Sequence, residues 1–427
     1  MSLEGPIGVA VTSHQARAGA ATLARGLSVE QAVKDAFDPA WRHDPYGAYA
    51  VLRDAGPFVP GPLGLTLVPR YEQCHEILTD PVWIRAHEGE LLHSSTREID
   101  MPASFLWMEP PDHTRVRGLV SSAFTARSIE RMREHGRRVA AELIDGALAA
   151  GEVDLVRAVS AQLPLILIAG VLGVPASEYG VMRQIGQALG RGIDPDDLMS
   201  PEEVAMRTAG VRAGMDFYRD LVRQRRADPR EDVISTLAQA EAAGELTETE
   251  MLGTLVLLTG AGQTTTNMIS GLFLMLARQP EQLDRLRRDP DLLAPAVDEL
   301  FRFDGPTHLT ARTARREVTV AGRTFGAGEG VLLILGSANR DPDAFTEPAR
   351  FDIDRYARGN PVKRHLAFGQ GLHYCIGAPL ARLELEVLLR TLIERVSAVT
   401  LLADPPPYFP NLFLRGVASL RARLTAA

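Results

Sequence analysis

The segment Phe368-Gly369-Gln370-Gly371-Leu372-His373-Tyr374-Cys375-Ile376-Gly377 sets a thiol among glycines. Glycine permits positive φ and a close approach of backbone to a flat ligand. A helix predicted from about Ile376 to Arg395 brings its positive end close to the Cys375 sulfur. That position lowers a thiol pKa and favours the thiolate. A thiolate is a good metal ligand, and on heme iron it pushes electron density toward O–O cleavage. Other chemistries need residues that are missing. A zinc site asks for more ligands, and the chain has no CxxC and no His pair at helical spacing. A c-type heme needs C-x-x-C-H. A cysteine nucleophile needs a His brought in from elsewhere in the fold, and His373 two residues away is not that arrangement. No G-K-S/T follows, so this is not a phosphate loop. An inert buried thiol is the ordinary fate of a lone cysteine; the flanking glycines argue against it.

Elements must hold these side chains in place. The longest is a helix opened by a capping box at Thr247 and Glu250 and closed at Gln279-Pro280. It has roughly 30 residues, about 45 Å at 1.5 Å per residue, and must cross the whole body of the molecule. Its centre, Gly260-Ala261-Gly262-Gln263-Thr264-Thr265-Thr266, interrupts a strongly apolar run. Each Gly costs roughly 1 kcal/mol relative to Ala in a helix interior. Thr bonds back to backbone carbonyls and bends helices. Two readings stand here: a functional site, where such local conflicts collect, or close helix packing that needs small residues. Elsewhere, a helix is predicted near Tyr46–Ala55, and Phe58–Val59 with Leu65–Val68 reads as a hairpin. Residues 82–110, with Trp83 and Trp107, read as irregular. Helical patterns dominate from about Asp112 to Phe303. Val318–Val320 and Val331–Leu335 read as short strands, and a short strand ends the chain. The fold class is mostly α with a small β portion.

The bulk properties exclude several classes. The chain has 427 residues and a net charge of −8, which argues against a nucleic-acid binder. No apolar run approaches the ~20 residues of a membrane span. The stretch through Arg25 has no continuous apolar core and reads as no secretory signal. We expect residues 1–30 to be a flexible leader and residues 31–427 a single catalytic domain. Two cysteines, Cys74 and Cys375, suit reduced thiols in a cytoplasmic protein.

The cysteine loop resembles the F-G-x-G-x-H-x-C-x-G signature of the cytochrome P-450 superfamily at every fixed position, Phe368 and Gly369 included. Other marks follow in the right order over nearly the whole chain. Glu299-Leu300-Phe301-Arg302 resembles the family's E-x-x-R, and Arg350 resembles the arginine that joins that pair. Alone, an E-x-x-R is an ordinary solvated helical pair. The resemblance implies heme b, iron protoporphyrin IX, with Cys375 as the iron ligand. Heme propionates need paired cations or donors when buried. The family's pattern assigns that role to His113 and Arg117 in Pro110-Pro111-Asp112-His113-Thr114-Arg115-Val116-Arg117, to Arg312 and to His373. Arg115 is expected to face solvent. In the central helix the gapless match sets Thr264 at the dioxygen-binding threonine and Gln263 at the usual acid position, with Asn267 fixing the register. The glutamine is a departure, since an amide hydrogen-bonds but does not relay protons as a carboxylate does.

The resemblance further implies a monooxygenase that uses dioxygen to hydroxylate or epoxidise a hydrophobic small molecule, such as a natural-product intermediate of secondary metabolism. Oxidative coupling or desaturation of an aromatic substrate is the alternative, and a heme-based sensor a third reading that Thr264 disfavours. The pocket is expected along residues 82–108, 178–200, the central helix and the segments after Phe303 and at Leu412–Phe413. Trp83, Ile84, Phe105, Trp107, Leu309 and Phe413 are candidate contacts, with His308 and Thr310 as polar anchors. Electrons are expected from a separate ferredoxin or flavodoxin with its reductase, docking near Cys375, where Arg115 and Arg382 are candidate cations.

Overall fold

The Thr247 hydroxyl accepts a hydrogen bond from the Glu250 amide, and the Glu250 carboxylate accepts one from the Thr247 amide at 2.7 Å. This capping box opens a helix of 31 residues, Glu248–Arg278, in the computed structural model of the chain. The structure describes residues 26–85, 104–190, 193, 194, 196 and 199–427. The central helix runs unbroken through Gly260–Asn267 despite the poor formers there. Its flanks are buried from Met251 to Thr259, except half-buried Leu257, and from Thr266 to Leu276, so tertiary packing overrides local propensity. Helices Gln162–Leu172, Tyr179–Ala188, Pro201–Ala227 and Val233–Ala242 pack around it.

A smaller β portion stands beside the helices. Strands β1 (Val59–Pro60), β2 (Thr66–Val68), β3 (Trp83–Ile84), β5 (Leu309–Ala314) and β8 (Gly330–Ile334) form a sheet in the order β1-β2-β8-β5-β3. Only the β2–β8 pair is parallel. Strand β8 is buried along its whole length, as a central strand covered on both faces should be. It pairs Leu309 with Ile334 and Arg312 with Val331, which sets the register of β5. Strands β4 (Glu152–Asp154), β9 (Val396–Leu401) and β10 (Arg421–Ala426) form a second sheet, and β6 (Val318–Val320) pairs with β7 (Arg323–Phe325).

The helix at Tyr46–Ala55 and the first hairpin stand as read. Residues 82–110 are not irregular throughout: Trp83 and Ile84 pair with Ala314 and Thr313. Residues 86–103 of that segment lie outside the described residues, as do parts of 178–200. The helix after Cys375 begins at Ala378, with Pro379 in its first turn. Strand β9 was not expected, because that helix passes into it with no intervening turn residue. Residues 1–25 of the expected leader lie outside the described residues. The first helix among the described residues, Val29–Phe37, starts under a Ser28 side-chain cap. Among the described residues no helix is long and apolar enough to cross a membrane.

Candidate functional site

The cysteine loop closes on itself, with the Cys375 amide donating to the Phe368 carbonyl at 2.9 Å. Gly369 and Gly371 both have φ of +67°. At Gly371 a Cβ would lie 2.3 Å from the Leu78 carbonyl oxygen, so no larger residue fits that backbone. Cys375 and Cys74 are both free. Cys74 is buried and donates its thiol to the Val68 carbonyl. Around the Cys375 sulfur, burial pushes the thiol pKa up. The amides of Gly377 and Ala378 and the cations Arg117 and Arg382 pull the other way, but burial wins. The expected lowering by the helix start is thus present and outweighed. A bound metal ion reverses that balance, since it deprotonates a coordinating thiol outright.

Cys375 opens on a cavity of about 340 Å³ that lies between the loop and the central helix. Gly260, Ala261, Gly262, Thr264 and Thr265 line the helix side. The small residues that weaken the helix therefore form the wall of a site. Gln263 is not among the lining residues. Phe105, Trp107, Leu309, Thr310 and Phe413 line the cavity as expected, and Phe368 and Gly369 line the loop side. Trp83, Ile84 and His308 do not. Trp83 and Ile84 are taken up by pairing with β5, and the Trp83 ring packs edge-on against Phe325. His308 is turned behind the wall, with Nδ1 3.0 Å from the Tyr49 hydroxyl.

One end of the cavity is basic. Arg117 donates to the Leu372 and Tyr374 carbonyls, which ties the helix Asp112–Ser121 to the cysteine loop. The His113 and His373 rings lie 4.6 Å apart. Burial, with His373 and Arg117 nearby, pushes the His113 pKa down to about 4. Both His113 ring nitrogens are buried without a protein partner. His373 Nε2 meets Glu109 Oε1 at 3.3 Å. Burial lowers Arg312 to about 9, helped by the like charge of Arg85. Burial also lowers Arg85 to about 10. Glu109 is the carboxylate acting on both. Arg85, Arg117 and Arg312 thus bring three positive charges against one negative. Buried charge demands a partner. The two propionates of heme would supply the balance, and the unpartnered His113 nitrogens suit the same acceptors, so the residues present fit that group.

One expectation changes. Glu299 and Arg302 form a fully buried, two-bonded ion pair at 2.7 Å. The arginine that joins it is Arg355, whose Nε donates to both Glu299 oxygens at 3.0 and 3.2 Å. Arg350 contributes its carbonyl, to Arg302 and Arg355, while its side chain pairs with exposed Glu347. The Asp352 amide bonds Glu299, and the turn that follows carries Arg355 inward. Arg115 is exposed, as expected, and also bonds Glu250 of the central helix's capping box. Arg382 is held by Asp298.

The sequence reading missed Arg85, Glu109 and Glu384. No motif marks the first two. Glu384 carries a signal: it lies on the buried face of the helix Ala378–Arg395, where every neighbour at helical spacing is apolar.

A mostly helical fold with a thiol loop facing a groove of small residues across one basic-ended cavity defines a heme-thiolate oxygenase. The comparisons with known proteins agree. The Cytochrome P-450 family model matches residues 201–420. The chain is 34% identical to the cytochrome P-450 monooxygenase PikC of Streptomyces venezuelae, over 89% of this chain and 91% of that one. It is 36% identical to the 6-deoxyerythronolide B hydroxylase of Saccharopolyspora erythraea, over 91% and 97%. The crystal structure of P-450 BioI in complex with an acyl carrier protein superposes with a TM-score of 0.82 at 33% identity, covering 90% of this chain and 99% of that one. The chain belongs to the cytochrome P-450 family. It is a cytochrome P-450 monooxygenase, and its cofactor is a heme-thiolate.

Proposed function

We propose that Cys375 would hold the heme iron of a monooxygenase that inserts oxygen into a hydrophobic small molecule, with residues 31–427 as one catalytic domain. The observation that carries this is the cavity itself: the Cys375 thiol on one wall faces Thr264 and the small residues of the central helix on the other. His113, Arg117, Arg312 and His373, with Arg85, would bind the propionates. Phe368 and Gly369 shape the loop that carries Cys375. When bound, the heme supplies reductive activation of dioxygen. Thr264 offers a hydroxyl on the central-helix wall of the cavity, and Gln263 places an amide next to it in the chain. Phe105, Trp107, Leu309 and Phe413 exclude water and orient an apolar substrate. Natural-product substrates accord with the hydroxylase named above. Electrons come from a separate ferredoxin or flavodoxin with its reductase. Arg115 and Arg382 are already ion-paired, so they contribute little to that docking face.

The test is a carbon monoxide difference spectrum of the reduced protein, wild type against Cys375→His. Wild type should show the thiolate signature, and the variant should keep heme but lose it. A wild-type spectrum without that signature sinks the assignment. Oxidative coupling or desaturation is the second reading, favoured by the missing acid at Gln263. Labelled dioxygen separates the two: oxygenation leaves label in the product, and coupling does not.

A further inference from the structure

Among the described residues, Arg85 is a cavity cation whose guanidinium donates to no protein acceptor. It follows Ile84, the last residue of β3, so the pairing of β3 with β5 fixes where its side chain leaves the sheet. The guanidinium lies over the Trp107 ring, 5.0 Å from the ring centroid, and both residues line the cavity. Glu109, the carboxylate that acts on it, is engaged elsewhere. Its Oε1 accepts from the Arg85 amide at 2.9 Å and meets His373 at 3.3 Å. The other two cavity arginines spend donors on the protein. Arg117 donates to the Leu372 and Tyr374 carbonyls, and Arg312 to the Thr310 hydroxyl and the Ala311 carbonyl. Burial lowers Arg85 to about 10, which leaves it a cation at neutral pH. The two propionates of heme balance the net charge of this end but not its donors. A guanidinium has five N–H donors in a planar fork, more than a shared propionate takes up. Buried donors without acceptors are costly.

We infer that the substrate is an apolar molecule bearing a carboxylate, and that Arg85, braced on Trp107, is the specificity-determining residue that anchors this group. The fork of a guanidinium matches a carboxylate at two points. Stacking on Trp107 holds the guanidinium plane and adds a cation–π attraction. A carboxylate adds one negative charge to an end that heme already balances, whereas a phosphate monoester adds nearly two. The body of the molecule is set by the rest of the wall, where Phe105, Leu106, Leu189, Ile193, Leu309 and Phe413 are apolar. A site built to hydrogen-bond one group rejects the analogue that lacks it, because its buried donors are then left unpaired. The matching alcohol is therefore a poor ligand. The rival explanation is that the propionates consume every donor of Arg85 and the substrate is neutral.

The inference rests on the monooxygenase reading, and the experiment separates the two. The heme-loaded full chain is titrated with imidazole-tipped fatty acids of stepped chain length and with the matching alcohols. Binding is read from the absorbance shift that the imidazole causes at the iron, so it needs no turnover and no knowledge of the native substrate. In wild type, the chain lengths that reach Arg85 should bind about tenfold to a hundredfold more tightly as acid than as alcohol. That is the range for charge-assisted hydrogen bonds. Arg85→Gln should erase the preference by weakening the acids and not the alcohols. Arg85→Lys keeps the charge, loses the fork and should retain only part of it. Each variant is compared as heme-loaded protein with a normal reduced carbon monoxide spectrum, so weakened heme retention does not enter the acid-to-alcohol ratio. If Arg85→Gln fails to keep its heme, Arg85→Lys decides, and an undiminished preference there overturns the inference. Equal binding of acid and alcohol at every length in wild type overturns it, as does a preference that survives Arg85→Gln. Tighter binding of the matching alkyl phosphates overturns the carboxylate class. All of these outcomes leave the monooxygenase reading standing. A wild-type protein without the thiolate carbon monoxide signature sinks that reading, and the inference falls with it.

Discussion

Three guanidinium groups, from Arg85, Arg117 and Arg312, meet one end of the cavity, and Glu109 answers only one of those charges. Such an excess is tolerable only with bound anions, which makes heme part of the folded state's charge balance. Arg312→Leu should therefore speed heme loss to an acceptor protein by about tenfold to a hundredfold, the range for a lost charge-assisted hydrogen bond. Arg85→Leu should do the same. If Arg85→Leu leaves heme retention unchanged, Arg85 serves the substrate side instead. At Glu384 the consequence is a pH dependence. Burial raises its pKa from 4.5 to about 8. The folded state therefore holds a proton that the unfolded chain releases. That linkage stabilises the fold in full below pH 4.5 and is lost as pH rises through about 8. The Tm advantage of Glu384→Gln over wild type should grow from acid to pH 8 and level off above it. A constant difference across that range would mean that Glu384 is ionised in the native protein.

At the scale of elements, the cysteine loop depends on two glycines for different reasons from those at ordinary turns. Gly371→Ala meets both a left-handed backbone and the Leu78 carbonyl 2.3 Å from the new Cβ. Gly359 also has positive φ, yet a Cβ there meets nothing. Gly359→Ala should lower Tm modestly, reflecting about 1–3 kcal/mol of backbone strain. Gly371→Ala should in addition displace the loop and abolish the thiolate carbon monoxide spectrum. The Thr247–Glu250 box has a second task, because Arg115 also bonds Glu250 and so joins the helix Asp112–Ser121 to the start of the central helix.

Across the whole molecule, the buried Glu299–Arg302–Arg355 trio ties the helix Leu293–Asp304 to the segment that leads into the cysteine loop. Removing Arg355 leaves the Glu299–Arg302 pair intact but takes away the charge-assisted hydrogen bonding of Arg355 to Glu299, which costs about 1.5–3 kcal/mol. Arg355→Ala should sharply reduce the yield of heme-loaded protein and its Tm. Arg350→Ala, at an exposed pair with Glu347, should change Tm by no more than about 0.5 kcal/mol allows. Equal effects of the two substitutions would return the joining role to Arg350.

The thiol loop and the central helix were legible in the sequence because their information is local. A glycine-rich spacing around Cys375 and a capping box at Thr247 need no distant partner to be read. The same holds for Thr264, whose helical neighbours are also its chain neighbours. Tertiary structure decided whatever depends on contacts far along the chain. Arg350 and Arg355 are similar cations five residues apart, and only the turn after Asp352 selects which one reaches Glu299. Arg85 and Glu109 become site residues because a strand pairing and a helix start bring them to one cavity end. Trp83 was placed in the pocket by its neighbourhood and taken out of it by its pairing with Ala314. Glu384 stands out in the sequence only as a charge among apolar helical neighbours, and it is packing that removes its water. Desolvation is a property of the assembled core, and it is what turns that carboxylate into an acid facing Thr265.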